Sequence, residues 1–555
     1  MPLTAFAARA RPPVDALRQI AANPGLLRLE LGSLAFSAAD GMVVIGLAVL
    51  AYEEGGTTAV AILAIIRALP SVVLVPYLLA RTDTMARDAL LRLVVGARIV
   101  CLVAITALVV ADSSLVLIFF LAAVDSVAGG LLRPLRSTLT PALARSTEEL
   151  VAANVASTTG DALAAMLGPG GAAVVLALGD VPAAVAAGTA IMVLALVIVL
   201  PIHAAPDIGR RVAVADGEAP RSRRGSVLRP VRDLLGLRYA RLIVLLFAGQ
   251  RFVRGVINVA LVAAAFELLQ IGDSGVGLLT SAIGLGGLLG GAVALGLVGK
   301  PRLAPAFAAG LIAWGAGILS AGVVPNLVLV IAMLAVAGIG KTALDTAGFT
   351  LLQRTVPNEQ RSNVFGMLEA VISAALAAGP VAAAVLVGVV GAGWTLVIAG
   401  ALPLVLVAVS WTVLRSADDA AVIPQPALRL LSSVPMFRPL QLTTLETLAG
   451  HMTVRDIAAG TDVIRQGEEG ATFFVVDSGR LATLVDGARV GELGAGDSFG
   501  EIALLRASPR TATVQALEDS RLVELAGDAF LAAVASTGDS AAAADAVVQR
   551  RLAAT

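Results

Sequence analysis

TPALARSTEELVAANVASTTGDALAAMLGP (residues 140–169) has a counterpart in LQRTVPNEQRSNVFGMLEAVISAALAAGP (residues 352–380). In each, a glutamate, Glu148 or Glu359, stands 21 residues before a proline, Pro169 or Pro380, that follows a glycine, and both pairs lie 211 residues apart. Duplication is the simplest account of a shared offset. Each copy starts polar and ends in small and apolar residues, so the fold turns on how many such runs the chain holds and what solvates them.

The 555 residues are 58% hydrophobic and 14% charged, which is more apolar surface than a water-soluble core of this size hides. Stretches of about 20 apolar residues, the length a helix needs to cross about 30 Å of hydrocarbon, occur at 29–51, 58–80, 90–111, 115–136, 150–178, 182–204, 239–266, 274–298, 304–323, 327–350, 362–389 and 394–414. Alternate loops differ in charge. One set holds Arg81 and Arg87, Arg136 and Arg145, eight arginines from Arg210 to Arg238, Lys300 and Arg302, and Arg354 and Arg361. The other set, YEEGGTT, ADSS, GD, ELLQIGDS, VPN and VGAG, holds no Lys or Arg. Cationic loops stay in the cytoplasm, so both termini and the 205–238 loop are expected there, in the inner (plasma) membrane of the cell. The first 25 residues lack the apolar core of a cleavable signal and read as a basic cytoplasmic leader. A net charge of +0, segregated along the chain, gives no support to nucleic-acid binding. Cys101, His203 and His451 are too few and too scattered for a disulfide or a metal site.

Two six-helix halves, a basic central loop and the Gly-Pro endings of the fifth and eleventh spans resemble the major facilitator superfamily, particularly its drug, siderophore and lysolipid exporter-like branches. The resemblance covers about residues 29–415 and implies a secondary transporter with a central cavity between the halves. LLARTDTMARDALLR (78–92) matches the family's Asp-Arg signature only in part, through Asp83 and Arg87. GLVGKPRLAPAF after the eighth span matches it less.

An ionisable group inside a span costs about 3 kcal/mol on insertion scales and so marks a pathway or a pair. Asp40, Asp125, Asp161, Arg251, Arg254, Lys341, Asp345 and Glu369 are such groups. Asp40 and Arg251 share the 211-residue offset, and the resemblance places their spans around one cavity. A pair of Asp40 with Arg251 or Arg254 is therefore expected, either as a proton-coupling device or as a static packing element. Lys341 and Asp345, four apart, suit a local pair, and Glu369 suits snorkelling at a cytoplasmic end. GLGGLLGGAVALG in the eighth span lacks the strand and acidic partner of a dinucleotide fingerprint and reads as close helix packing.

After Leu414 the composition changes. RSADDAAVIPQPA is a polar linker, and beyond it short strand-like runs, FFVVD, LATLV, TATVQAL and RLVEL, alternate with glycines between 454 and 526, flanked by helical patterns near 438–450 and 527–552. That pattern predicts a small β-roll. Within FGEIALLRASPRTATV (499–514), Gly500 permits a close backbone approach. The N–H groups of Ile502, Ala503 and Leu504 open a short helix that Pro509 ends, and Arg510 offers a planar fork for phosphate. Glu501, an acceptor among phosphate-binding groups, suits a ribose hydroxyl. GEEGATFFVVDSGRL and GELGAGDSFGEIALLRASPRTATV closely resemble the cyclic nucleotide-binding domain. The resemblance implies that Glu501 holds the ribose 2′-hydroxyl and Arg510 the cyclic phosphate, with Phe499, Gly500, Ile502 and Ala503 around them. It also implies Thr511 beside the base, with cAMP favoured and cGMP left open, and a lid helix at 541–552 whose Arg550 or Arg551 reaches the base.

The domain plan is thus a leader (1–28), a first six-helix half (29–204), a basic loop (205–238), a second half (239–415), a linker (416–427) and a nucleotide-binding tail (428–555). The expected fold is a polytopic α-helical membrane protein of twelve transmembrane helices, arranged 6+6, with a cytoplasmic β-roll. The expected function is secondary active export of a small or lipid-like molecule, with proton coupling as an option, under control of a cyclic nucleotide, cAMP first. A non-transporting nucleotide sensor and a lysolipid flippase are the alternatives. No nucleophile or cyclase motif appears, so an enzyme is not expected, nor is any cofactor beyond the regulatory nucleotide. The expected partners are the lipid bilayer, the nucleotide and the carried solute.

Overall fold

The computed structural model describes residues 20–552 apart from 83–84, 203–227, 298–299, 301, 325, 357, 422–424, 441, 451 and 536–537. Asp83, His203, His451 and most of the basic loop lie outside the described residues. The chain forms two compact units, Met1–Ala420 and Ala421–Thr555.

The first unit is helical: α1 Pro24–Arg81, α2 Arg87–Val110, α3 Leu115–Leu143, α4 Thr147–Leu178, α5 Val181–Val199, the short α6 Leu228–Gly236, α7 Arg238–Ala263 with a π turn at Ala264–Leu268, α8 Gly272–Leu295, α9 Ala304–Val323, α10 Leu327–Thr355 and α11 Asn358–Ala421. Side chains cap several starts: Asn23 accepts from Gly25 and Leu26, Ser146 from Glu149 and Asp180 from Ala183. Large apolar side chains such as Val116, Leu178, Val389 and Val409 are mostly exposed, as lipid allows and water does not.

Ten described helices are long and apolar enough to cross a membrane, where the sequence marked twelve spans. The difference lies at glycines. A straight helix of 58 residues, the length of α1, would reach about 87 Å, nearly three times a hydrocarbon layer of about 30 Å. α1 leaves helical geometry at Gly55 and Gly56, the latter at φ 60°, and α11 leaves it at Gly391, φ 80°. Both breaks fall in loops marked from the sequence, YEEGGTT and VGAG. α11 also continues to Ala421, through the start of the expected linker, because Asp418 is buried and accepts the Leu303 N–H at 2.7 Å.

The repeated Gly-Pro endings are contact points. A Cβ on Gly41 would stand 3.1 Å from Pro169 Cδ and 3.3 Å from Gly168 Cα. A Cβ on Gly255 would collide with the Leu376 carbonyl oxygen and stand 2.9 Å from Gly379 Cα and 3.1 Å from Pro380 Cδ. Gly41 and Gly255 are therefore structural equivalents, 214 residues apart, although their partners keep the 211-residue offset.

The halves meet through α4 and α8. A Cβ on Gly277 would collide with the Pro169 carbonyl oxygen, one on Gly284 with the Ala165 carbonyl oxygen, and one on Gly170 would touch Ser281 at 3.5 Å. Towards the basic-loop end nothing lies within 4 Å of a Cβ built at Gly160 or Gly291. At the opposite end the Tyr52 hydroxyl donates to Glu267 at 2.8 Å, and its ring stacks on Phe266 with centroids 4.4 Å apart.

The second unit begins with α12 Gln425–Ser433, a 3-10 turn at Pro435–Phe437 and α13 Leu442–Gly450. Eight strands follow: β1 Thr453–Ile457, β2 Asp462–Ile464, β3 Thr472–Ser478, β4 Leu481–Val485, β5 Ala488–Leu493, β6 Ser498–Phe499, β7 Thr513–Ala516 and β8 Ser520–Ala526. They pair antiparallel in two sheets, ordered β1-β8-β3-β6 and β2-β7-β4-β5. α14 Glu501–Arg506 interrupts the roll, and α15 Gly527–Ala535 and α16 Gly538–Leu552 close it. Alternation along β3 serves two cores: Phe473 and Val475 pack with Phe437 and Phe530 against the helices, while Phe474 and Val476 pack inside the roll with Phe499 and Leu522.

Gly255→Ala is expected to lower thermal stability in detergent by about 1–3 kcal/mol through overpacking, whereas Gly291→Ala, which meets open space, should be neutral or gain up to about 1 kcal/mol of helix propensity. Equal effects of the two on the unfolding midpoint would contradict the close approach at Gly379.

Candidate functional site

The roll carries a cleft of about 210 Å³ with Phe499, Gly500, Glu501, Ile502, Ala503, Arg510, Thr511 and Arg551 in its lining. Its far wall includes Thr483 and Val490–Leu493, β4 and β5 residues that the sequence reading did not single out. β6 delivers the chain to Gly500, which sits at φ 91°, a left-handed conformation that suits glycine. α14 then starts at Glu501 with its first N–H groups lacking helical acceptors. It ends at Arg506, because Ala507 turns left-handed at φ 49°; Pro509 comes later and is not the terminator expected.

Arg510 is buried, 5% exposed. Its Nη1 donates to the Gly500 carbonyl at 2.9 Å and its Nη2 to the Thr472 carbonyl at 2.8 Å. Its backbone is pinned too, with its N–H on Glu468 O and its carbonyl receiving Gly467 N–H, both at 2.8 Å. A Cβ on Gly470 would overlap the guanidinium, so glycine there makes room for it. Below lies the Phe474–Phe499 stack, 4.9 Å between centroids. Burial lowers the Arg510 pKa from its ordinary value, opposed by the charges of Glu501 and Glu468. The side chain stays a cation at any physiological pH, so the fold holds a poorly hydrated positive charge at the cleft.

Glu501 is fully buried. One carboxylate oxygen accepts from Arg551 Nη1 at 2.7 Å, and the other, Oε2, has no partner among the described residues. A buried acceptor without a donor is costly and here faces the cleft with Arg510. Arg551 comes from the last turn of α16. Arg550, one of the two lid-helix candidates from the sequence, is exposed and absent from the cleft lining, while its neighbour Arg551 is present. One residue turns a helix by about 100°, which sequence reasoning left unresolved between the two.

The membrane-embedded charges pair differently from expectation. Asp40 does not meet Arg251 or Arg254. It accepts from Arg98 at 2.6 Å and from Arg67 at 3.2 Å. Arg98 also binds both oxygens of buried Asp125, at 2.8 and 3.0 Å. α1, α2 and α3 thus hold a balanced cluster of two acids and two arginines within the first half. Arg67 and Arg98 carried the same mid-span signal as Asp40 and went unremarked. Asp161 pairs with Arg136 at 2.8 Å. In the second half Lys341 donates to Asp345 at 2.8 Å, as its spacing suggested, and Arg251 lies 3.6 Å from the same carboxylate. Glu369 is exposed.

The chain is similar to two families: the Major Facilitator Superfamily over residues 243–454 and the Cyclic nucleotide-binding domain over residues 454–537. Among solved structures, the regulatory domain of Toxoplasma gondii PKA with cAMP is 38% identical, with 20% of this chain and 43% of that chain covered and a TM-score of 0.19. The sensor domain of the transcriptional regulator DNR from Pseudomonas aeruginosa is 26% identical, with 22% of this chain and 92% of that chain covered and a TM-score of 0.21. The chain thus spans less than half the length of the first of these. No curated protein matches it.

Arg98→Met alone strands buried Asp125 and should cost about 3–5 kcal/mol of stability, and Asp125→Leu should cost a similar amount. The double variant keeps the Asp40–Arg67 pair and should recover most of that loss. Thermal unfolding of the four proteins as a double-mutant cycle measures the coupling; additive losses would show that the two do not act as a pair.

Proposed function

We propose that this chain, in which a major facilitator superfamily domain is joined to a C-terminal cyclic nucleotide-binding domain, is a multi-pass membrane transporter whose alternating access responds to a cyclic nucleotide. The observation that carries the regulatory half is the buried Arg510 and Glu501 facing one cleft, with Glu501 Oε2 unpartnered. A cyclic phosphate supplies the charge that Arg510 lacks, and a ribose hydroxyl supplies the donor that Glu501 lacks. cAMP is the nucleotide to test first and cGMP the comparison, with Thr511 as the residue beside the base.

Arg551 gives that cleft a direction of response. Its guanidinium sits on Oε1 of the carboxylate whose Oε2 a ribose hydroxyl would use, so nucleotide entry competes with the end of α16 for one side chain. Binding energy alone moves nothing; only the difference between two states does. Displacing Arg551 is such a difference, and it acts on a helix. A differential of about 1–2 kcal/mol would change activity several-fold to about thirtyfold.

The transport half draws support from the α4–α8 contacts. They are tight towards the end whose loops lack Lys and Arg, where Tyr52 bonds Glu267, and they are lost by Gly291, two turns past Gly284 on the same face of α8, towards the basic end. With the basic loops in the cytoplasm, this is a cytoplasm-facing state of a chain in the inner (plasma) membrane, with the nucleotide domain on the side where cyclic nucleotides are made. Export of a small or lipid-like solute fits that arrangement. Proton coupling through Asp40 would require one of its two arginines to let go, and the cluster serves equally as a fixed brace.

Full-length protein should bind cAMP in calorimetry, Arg510→Ala should lose binding by at least about a hundredfold, and Arg551→Ala should bind several-fold tighter because a competitor is gone. Weaker binding by Arg551→Ala would show that it serves the ligand and not the empty site. Spin labels at Gly160→Cys and Gly291→Cys, in a Cys101→Ser background, report the cytoplasmic opening. Saturating cAMP should shift their distance distribution in the parent protein and leave it unchanged with Arg510→Ala. An unchanged distribution in both, with unchanged solute flux, removes the regulatory reading.

A further inference from the structure

We infer that the second half carries a binding site for a doubly charged anionic group, so that the transported solute is a dianion; the solute identity rests on the transport reading above. The equivalence of Gly41 and Gly255 leads to it. The residues just before them, Asp40 and Arg254, occupy matching places in the two halves. Asp40 is neutralised inside its own half by Arg67 and Arg98, which also satisfy Asp125. No acid of that cluster is left over for Arg254.

In the second half Arg251 and Lys341 close on a single acid, Asp345, and Arg254 stands about one turn along α7 from Arg251. Among the described residues, three cations against one carboxylate leave an excess of two positive charges in mid-helix. Arg254 has no hydrogen-bond partner among the described residues. Arg251 Nε and Asp345 Oδ1 are buried and lack hydrogen bonds, and so do both polar atoms of Gln250, which is fully buried one turn before Arg254.

These groups face inward. Leu245 on α7 and Val336 on α10 are exposed apolar residues, and Arg254 and Asp345 each lie nine residues further on. Nine steps of about 100° place them on the opposite side of each helix from those apolar residues. An uncompensated charge pair inside a membrane protein marks a ligand path. Arginines forked over carboxylate or phosphate oxygens, beside an amide that can donate, are the donor set such a ligand needs. A free solute and an anionic lipid headgroup share that chemistry.

The test is thermal unfolding of the full chain in phosphatidylcholine nanodiscs, titrated with succinate, inorganic phosphate or choline, with cAMP present to occupy Arg510. Succinate and phosphate should stabilise the protein saturably and choline should not. Arg254→Gln should raise the apparent dissociation constant about tenfold to hundredfold. Lys341→Gln should weaken it as well, and both variants are checked for an unchanged circular dichroism spectrum. Nanodiscs containing phosphatidic acid that block the succinate response would support the site and name a lipid headgroup as its occupant. Stabilisation by choline instead, no response to either dianion, or dianion binding unchanged in both variants overturns the inference. Counterflow in proteoliposomes keeps the two readings apart. Flux of choline without dianion binding overturns the anion site alone, whereas dianion binding without any solute flux leaves the site and removes transport.

Discussion

Close approach of helix backbones at glycine is the constraint on which the membrane unit depends. In lipid there is no hydrophobic gain from bringing two apolar helices together, so association rests on packing and polar contacts. Gly41 against Gly168 and Pro169, and Gly255 against Gly379 and Pro380, bring α1 to α4 and α7 to α11 at backbone distance. Gly277 and Gly284 do the same between the halves. Because those contacts stop short of Gly291, the small residues that pack one end of α4 against α8 leave the other end of α8 without them.

Charge is handled in opposite ways in the two halves. The first encloses two acids and two arginines that satisfy each other across α1, α2 and α3. Removing one member should cost more than replacing the set, since an isolated buried ion has lost water and gained nothing. The second half leaves positive charge in excess around Asp345. In the tail the same logic recurs on a smaller scale: Arg510 is held by two carbonyls that carry no net charge, and Glu501 is answered only in part by Arg551.

Much of this was legible in the sequence because it depends on neighbours along the chain. Apolar run length marks the long helices, and the breaks at Gly55, Gly56 and Gly391 fall in loops that lacked positive charge. The strand runs FFVVD, LATLV and RLVEL became β3, β4 and β8, and Gly500, Glu501 and Arg510 met in one cleft because eleven consecutive residues carry them all. β1, β2 and β5 were missed, since β1 and β5 are largely exposed and β2 is three half-buried residues, so none gives an alternation to read.

What the sequence by itself determined was the division of the chain after its last apolar run, the repeated Gly-Pro endings and the residues of the cassette that share one cleft. Only the tertiary structure decided which charges meet. A helix turns about 100° and rises about 1.5 Å per residue, so a pairing across helices depends on rotation and depth that an offset of 211 or 214 residues cannot distinguish. Asp40 therefore went to Arg67 and Arg98, Arg254 was left without a carboxylate of its own, and Arg551 reached Glu501 while Arg550 faced outward.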